Sequence, residues 1–130
     1  MTPIATTRLF EDMPGLDAVL DRSVTILGST GSIGVNTIDV IAHARKHYGD
    51  HVFPIAALTA GGNVEKLIGQ ARALKPRRAV IGDGTLYSAL KQGLAGTGIE
   101  TAAGRAAVIE AANMPSDFVM VAIMSFPLRR

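Results

Sequence analysis

Three glycines at three-residue intervals follow a short apolar run near the start of the chain. The run is Val24 to Leu27, and the glycines are Gly28, Gly31 and Gly34. A helix-period pattern of apolar residues begins directly after them. A strand, a glycine turn and a helix in this order let a backbone approach a diphosphate, and the free amides of the helix N-terminus then face the anion. The spacing therefore predicts a nucleotide-binding turn.

The three glycines have separate expected roles. Gly28 supplies the backbone angles of a tight turn, Gly31 leaves room for a phosphate, and Gly34 lets the helix lie against the strand. Further hydroxyl donors expected beside this pocket are Ser29, Thr30 and Ser32. The commonest dinucleotide fingerprint is G-x-G-x-x-G, whereas this turn reads G-x-x-G-x-x-G, so a glycine-rich turn that binds nothing is the alternative. The strand before it and the helix after it favour the nucleotide site.

The loop after the second apolar run bears on which dinucleotide fits. It reads Thr59-Ala60-Gly61-Gly62-Asn63 and holds no acidic residue. An NAD site usually places a carboxylate here for the ribose hydroxyls, and a carboxylate would repel a 2′-phosphate, so the loop favours NADP over NAD. Gly61 and Gly62 allow close backbone approach to an anion, and Asn63 can cap the next helix or bond the phosphate. The alternative is a Gly-Gly turn with an ordinary Asn N-cap, since no Arg occupies the loop.

Other candidate groups do not assemble into a catalytic or metal site. His43 and His47 are four residues apart and could chelate a metal from one helix face, but no third ligand is evident near them. Asp83 precedes a glycine and is interpreted as turn chemistry. The sequence offers neither a nucleophile beside a base nor paired carboxylates at a credible spacing. We therefore expect no catalytic residue and no metal ligand in this chain.

Composition narrows the class of protein further. The chain has 130 residues, of which 48% are hydrophobic and 18% charged, as expected of one folded domain. A net charge of +2 and the absence of Trp argue against nucleic-acid binding. There is no Cys, no signal core in residues 1–21, and no apolar stretch near the roughly 18 residues of a membrane span. We expect a cytoplasmic protein without a nucleic-acid or membrane partner.

Strand and helix patterns alternate along the chain with short connections. The expected strands are Val24–Leu27, Val52–Leu58, Ala79–Ile81, Ile99–Thr101 and Phe118–Ile123, and the expected helices are 32–48, 64–74, 86–94 and 105–112. Such alternation predicts an α/β fold, a Rossmann-like doubly wound parallel sheet of about five strands with helices on both faces. In this fold the ligand lies at the carboxyl ends of the strands, where the glycine turn is also expected.

Several strings resemble one enzyme family. The run Thr25 to Gly34, TILGSTGSIG, followed by Asn36 to Val40, resembles the amino end of 1-deoxy-D-xylulose 5-phosphate reductoisomerase. The segments Ala56 to Val64 and Asp117 to Ile123 are similar to the same family in the same order, so the resemblance covers roughly residues 23–124. It implies an NADPH-dependent oxidoreductase of non-mevalonate isoprenoid biosynthesis. That enzyme converts its sugar phosphate to 2-C-methyl-D-erythritol 4-phosphate with a divalent metal, Mg or Mn, and is usually a homodimer.

The resemblance also implies roles for individual residues. It implies that Thr30, Gly31, Ser32 and Ile33 contact the NADPH diphosphate. It places Gly61, Gly62 and Asn63 on the adenosine 2′-phosphate side, and Ala122 and Ile123 at the nicotinamide end. With the two structural glycines of the turn added, the expected cofactor-binding residues are Gly28, Thr30, Gly31, Ser32, Ile33, Gly34, Gly61, Gly62, Asn63, Ala122 and Ile123.

The chain departs from the family after Met124. It reads Ser125 to Arg130, where relatives continue into a Gly-Ala-rich turn, an acidic metal site and a substrate domain. A truncation or a frame change would produce this ending. We expect a leader at 1–21 with a short helix around Leu16 to Leu20, an NADPH-binding domain at 22–124 and a tail outside the family at 125–130.

Without the metal and substrate half, hydride transfer has nothing to orient it, so we expect no turnover by these 130 residues alone. Three alternatives stay open at this point. The chain could be a non-catalytic dinucleotide-binding module. It could be another NADP-dependent reductase with the same turn, such as a semialdehyde dehydrogenase or a dihydrodipicolinate reductase. It could also be too short to fold, with an apolar edge at Phe118 to Ile123 that favours aggregation.

Overall fold

The computed structural model describes residues 20–122 of the chain. Within that range, strands and helices alternate from one end to the other. The elements are β1 (Val24–Leu27), α1 (Ser32–Tyr48), β2 (Ile55–Ala60), α2 (Val64–Leu74), β3 (Arg78–Ile81), a 3₁₀ turn (Gly84–Leu86), α3 (Tyr87–Gly93), β4 (Glu100–Ala103), α4 (Arg105–Ala112) and β5 (Phe118–Val121). Three expected features lie outside the described residues: Ile123, the tail at 125–130, and all but the last residue of the leader helix around Leu16 to Leu20.

The strands form one parallel sheet in the order β4-β3-β2-β1-β5. The chain runs outward from β1 to β4 and then crosses back to place β5 on the other side of β1. Right-handed crossovers put α1, α2 and α3 on one face and α4 on the other. The predicted doubly wound sheet with helices on both faces is confirmed. Because the winding reverses between β1 and β5, the ligand crevice of this topology lies at their carboxyl ends.

The core has one layer on each face of the sheet. Ile26, Leu58 and Ile81 pack against the inward residues of α1, α2 and α3, and all three are fully buried. On the opposite face, Ala57 and Val80 pack against α4 in a smaller cluster. Leu58 and its neighbour Ala57 thus point to opposite layers, as successive residues of a strand do. The apolar second strand is covered on both faces, as its composition predicts.

The second strand begins at Ile55, three residues later than expected. Val52 is fully buried but lies outside the ladder. Phe53 adopts a left-handed backbone conformation with φ 49°, and Pro54 follows it without a backbone N–H to donate. These two residues keep the segment out of the strand, although its apolar character is that of a core element.

Arg45, near the end of α1, binds three backbone carbonyl oxygens at the amino-terminal side of the sheet. Its guanidinium donates to the carbonyl oxygens of Val52 (3.0 Å), Leu74 (2.7 Å) and Phe53 (3.1 Å). Leu74 is the last residue of α2, so one of these bonds satisfies a helix C-terminal carbonyl. Burial lowers the pKa of Arg45, and the nearby Asp50 carboxylate opposes that shift. The side chain serves the fold at the end of the sheet opposite the glycine turn.

The last strand, β5, is an apolar edge. Over the described residues it pairs with β1 alone. Its side chains are exposed on both faces, with Phe118 at 49%, Val119 at 46%, Met120 at 41% and Val121 at 62%. Over the described residues this strand therefore presents an exposed apolar edge. None of the helices in the described range has the length and apolar character to span a membrane.

Candidate functional site

The glycine turn begins where β1 ends and is anchored on β2. Gly28 has φ +88°, a conformation that L side chains rarely adopt, so its expected role in the tight turn is confirmed. The amides of Gly28 and Ser29 both donate to the carbonyl oxygen of Thr59, at 2.9 and 2.8 Å. The Thr59 hydroxyl lies 3.2 Å from the Gly28 amide as a second acceptor. The start of the turn is therefore fixed by the neighbouring strand.

The two remaining glycines of the motif differ in what surrounds them. A Cβ at Gly34 would lie 2.2 Å from the Gly28 carbonyl oxygen and 2.7 Å from the Ser29 Cα, so α1 packs directly on the turn. This confirms the packing role expected of Gly34. A Cβ at Gly31 would meet only ordinary contacts, 3.7 Å to the Ala122 oxygen and 3.9 Å to the Gly28 oxygen. The protein itself leaves room for a side chain there, so a requirement for glycine at 31 would come from a ligand.

The N-terminus of α1 lies beside the open space at Gly31. Gly31 is the N-cap residue, no side chain caps the helix, and its first turn holds no acidic residue. The Val35 amide makes the first helical bond, to the Gly31 oxygen at 2.8 Å. Helix geometry leaves the amides of Ser32, Ile33 and Gly34 without intrahelical partners, at the positive end of the helix dipole. Ile33, 45% exposed, is a large apolar side chain at this end. The arrangement suits an anion with an apolar group beside it.

The Gly61-Gly62-Asn63 loop connects β2 to α2 at the same edge of the sheet. All three residues are exposed, and a Cβ on either glycine would meet nothing within 4 Å. Asn63 is the N-cap of α2, and its Oδ1 accepts a hydrogen bond from the Lys66 amide at 3.2 Å. The expected cap role of Asn63 is confirmed. Because Oδ1 makes the cap, the Nδ2 amide group of Asn63 is the part of the side chain that can donate to a ligand.

Ala122 brings the end of β5 to the glycine turn. It is buried, its amide donates to the Leu27 oxygen at 2.7 Å, and its own oxygen faces Gly31. The turn, the Gly61-Gly62-Asn63 loop and Ala122 therefore meet at the carboxyl edge of β2, β1 and β5, where the topology places its crevice. Ile123, expected at the nicotinamide end, lies outside the described residues.

One expectation about the turn is wrong. Ser29 was expected to offer its hydroxyl to the pocket, but the residue is fully buried and points toward α2. Its Oγ donates to Gln70 Oε1 at 2.7 Å, and Gln70 Nε2 donates back to the Ser29 carbonyl oxygen at 2.9 Å. Gln70 was not predicted from the sequence. The signal available was its position in α2 beside the inward-facing Leu67 and Ala71, where an unpaired amide would be costly.

The structure brings His43, His47 and Asp83 into no metal-binding group within the described residues. His43 and His47 lie side by side on α1 with ring centroids 5.0 Å apart, and both are exposed. Between residues 20 and 122 there is no group of three His, Cys, Asp or Glu side chains that could hold a metal ion. Hydrogen bonds from the Thr85 hydroxyl (2.6 Å) and amide (2.9 Å) hold the pKa of Asp83 below its usual value. Asp83 therefore caps the 3₁₀ turn, as interpreted from the sequence.

The parallel sheet, the glycine turn at its switch point and the uncapped helix N-terminus define a Rossmann-like protein of the dinucleotide-binding class. Comparison with known sequences gives the particular family. A profile of 1-deoxy-D-xylulose 5-phosphate reductoisomerase matches residues 24–127, and the chain belongs to this family.

Individual relatives agree with this assignment. The 1-deoxy-D-xylulose 5-phosphate reductoisomerase of Rhizobium rhizogenes is 54% identical over 103 residues, which cover 79% of this chain and 25% of the relative. The enzyme of Rhodospirillum centenum is 52% identical over 103 residues, with 79% and 24% covered. The chain thus spans about a quarter of the length of the curated relatives it matches.

Solved structures are similar over the same range. The Zymomonas mobilis reductoisomerase in complex with NADPH has a TM-score of 0.72 at 45% identity, covering 78% of this chain and 26% of that one. A reductoisomerase in complex with NADPH, fosmidomycin and magnesium has a TM-score of 0.68 at 31% identity, with 78% and 24% covered. Family membership excludes the alternative of another NADP-dependent reductase with the same turn.

Proposed function

We propose that this chain is the NADPH-binding part of a 1-deoxy-D-xylulose 5-phosphate reductoisomerase. The observation that carries the proposal is the α1 N-terminus, which is uncapped, free of acids in its first turn and set at the switch point of the sheet. A relative of the same fold over 78% of the chain was solved with NADPH. The cofactor supplies a hydride when bound, and the residues of this chain bind and orient it.

The diphosphate is proposed to lie against Thr30, Gly31, Ser32 and Ile33. Amides at the positive end of a helix dipole stabilise an anion, and the space that Gly31 leaves above the turn is open to one. Gly28 and Gly34 shape the turn without contributing a side chain. Ala122, and Ile123 beyond it, are proposed to border the nicotinamide end, because the end of β5 lies against Gly31.

The adenosine 2′-phosphate is proposed to lie at Gly61, Gly62 and Asn63. The open space above both glycines lets a phosphate reach the backbone, and the Asn63 Nδ2 amide group is oriented by the cap bond that its Oδ1 makes. No carboxylate occupies the loop itself, so nothing in it repels the phosphate. We therefore propose a preference for NADPH over NADH.

Activity belongs to a longer polypeptide of this family. We propose that such a protein converts 1-deoxy-D-xylulose 5-phosphate to 2-C-methyl-D-erythritol 4-phosphate in the cytoplasm as a homodimer with a divalent metal. Residues 20–122 bring together no carboxylate set for that metal, so we assign no catalytic or metal-binding role to them. The proposed arrangement is a leader at 1–21, an NADPH-binding domain at 22–124 and a tail at 125–130. The 130-residue chain then acts as a dinucleotide-binding module without turnover.

Isothermal titration of the 130-residue protein with NADPH and NADH tests the proposal, after circular dichroism has established that the protein is folded. We expect one NADPH site per chain, weaker binding of NADH, and no NADPH oxidation when substrate and Mg²⁺ are added. A folded protein that binds neither dinucleotide would refute the proposed cofactor. Metal-dependent oxidation of NADPH with the substrate would refute the proposed lack of turnover.

A further inference from the structure

Gln70 holds the glycine turn from a different element. Its side chain is half-buried between α2 and the turn, and it makes two hydrogen bonds to one residue. Gln70 Oε1 accepts from the Ser29 hydroxyl at 2.7 Å, while Gln70 Nε2 donates to the Ser29 carbonyl oxygen at 2.9 Å. Ser29 itself is fully buried. A reciprocal pair of this kind fixes both the side chain and the main chain of its partner.

The bond to the Ser29 carbonyl determines where the next amide points. The peptide between Ser29 and Thr30 is trans, and in a trans peptide the C=O and the following N–H point in opposite directions. Because Gln70 draws the Ser29 oxygen toward α2, the Thr30 N–H is aimed away from α2. The Ser29 amide is held separately, by the Thr59 oxygen at 2.8 Å. The Ser29 amide belongs to the preceding peptide, so the two peptides that flank the Ser29 Cα are each held by one hydrogen bond.

Helix α2 starts at one proposed phosphate subsite and supports the other through Gln70. Helix α2 begins after Asn63, in the loop proposed to take the 2′-phosphate, and Gln70 lies two turns further on, about 10 Å along the axis. The hydrogen bonds of Gln70 to Ser29 share no atom with the cap bond between Asn63 and Lys66. The two subsites can thus be separated by mutation.

We propose that Gln70 is a positioning residue for diphosphate recognition. It reaches the cofactor through Ser29 and the peptide of Thr30 and makes no contact with the cofactor itself. The proposal rests on the proposed NADPH site and goes beyond it, because it assigns the geometry of the turn to a side chain 41 residues away in the sequence. If Gln70 served stability alone, its loss would affect every ligand of the folded protein alike.

Three variants of the 130-residue chain separate these roles. Gln70→Leu removes both hydrogen bonds at similar volume. Gln70→Glu keeps an acceptor for the Ser29 hydroxyl but removes the donor to the Ser29 carbonyl. Gln92→Leu, in the exposed last turn of α3, is the matched control for loss of an amide elsewhere. Each is titrated with NADPH by calorimetry and with adenosine 2′-monophosphate by NMR, and its Tm is recorded.

We expect Gln70→Leu and Gln70→Glu to raise the Kd for NADPH at least tenfold, while the Kd for adenosine 2′-monophosphate changes less than twofold. Gln92→Leu should change neither constant. The proposal is overturned if either Gln70 variant binds NADPH like the wild type, or if both ligands weaken in the same proportion. Should Gln70→Leu fail to fold, Gln70→Glu provides the same comparison. A wild-type protein that does not bind NADPH would refute the proposed function instead, before any variant is compared.

Discussion

A substitution at Gly31 is expected to weaken ligand binding without changing the stability of the fold. A Cβ added there meets its nearest neighbours at 3.7 Å and 3.9 Å, which are ordinary van der Waals distances. The backbone at Gly31, with φ −79° and ψ 174°, is one that alanine adopts readily. We therefore expect Gly31→Ala to fold and to change the free energy of unfolding by less than about 0.5 kcal/mol, as for a surface substitution.

The same methyl group would stand where the proposed diphosphate approaches the backbone. A phosphate oxygen bonded to the first amides of α1 lies about 2.9 Å from each nitrogen, and the second glycine of a dinucleotide-binding turn is what lets the backbone come this close to the pyrophosphate. Displacing the phosphate weakens hydrogen bonds to a charged acceptor, each worth about 1.5–3 kcal/mol. A loss of about 2 kcal/mol corresponds to a roughly thirtyfold rise in the Kd for NADPH.

The control is Gly69→Ala, in the middle of α2. A Cβ there meets nothing within 4 Å, the residue is exposed, and alanine in a helix is more stable than glycine. Calorimetric titration with NADPH and urea unfolding are measured for both variants. We expect a normal Kd for Gly69→Ala and a raised Kd for Gly31→Ala at unchanged stability. If Gly31→Ala binds NADPH with wild-type affinity, the diphosphate does not occupy the turn.

Three further predictions concern the loop, the fold and the edge strand. Gly62→Asp places a carboxylate in open space beside the proposed 2′-phosphate, so the Kd for NADPH should rise about tenfold. The Kd for NADH, measured by the same titration, should change less than twofold, and an equal rise in both constants would contradict the proposed position of the 2′-phosphate. Arg45→Met removes three hydrogen bonds to carbonyl oxygens and should lower the free energy of unfolding, measured in urea, by about 2–4 kcal/mol. The Kd for NADPH should not change, and a variant as stable as the wild type would contradict the role assigned to Arg45. Val121→Lys puts a charge on the exposed strand β5 and should reduce any aggregation of the 130-residue chain. Size-exclusion chromatography with light scattering measures the aggregated fraction, and an unchanged fraction would exclude this edge as the cause of aggregation.

Much of the fold follows from local sequence. Helix α1 begins and ends where its apolar period, its terminal basic residues and Gly49 place it, at Ser32 and Tyr48. The order of strands and helices, together with right-handed crossovers, is sufficient to predict the doubly wound sheet. The predicted start of β2 was wrong because Phe53 adopts a left-handed backbone conformation, which its residue type does not indicate, and its carbonyl oxygen accepts a hydrogen bond from Arg45.

The candidate site likewise has one part that the sequence predicts and one part that it does not. The roles of Gly28 and Gly34 follow from the steric needs of a strand, a turn and a helix, so the spacing predicts them. The direction of the Ser29 side chain depends on Gln70, which is distant in sequence and comes close only when α2 packs beside the turn. No periodicity or spacing encodes that partner. Contacts of this kind become visible only in the folded structure.

The most direct measurement for the proposed site is a titration of the ¹⁵N-labelled protein with NADPH, followed through backbone amide chemical shifts. We expect the largest shifts at Thr30 to Ile33, with a second group at Gly61 to Asn63 and little change around Arg45 at the far end of the sheet. Saturable binding that leaves the amides of Thr30 to Ile33 unshifted would refute the proposed diphosphate site.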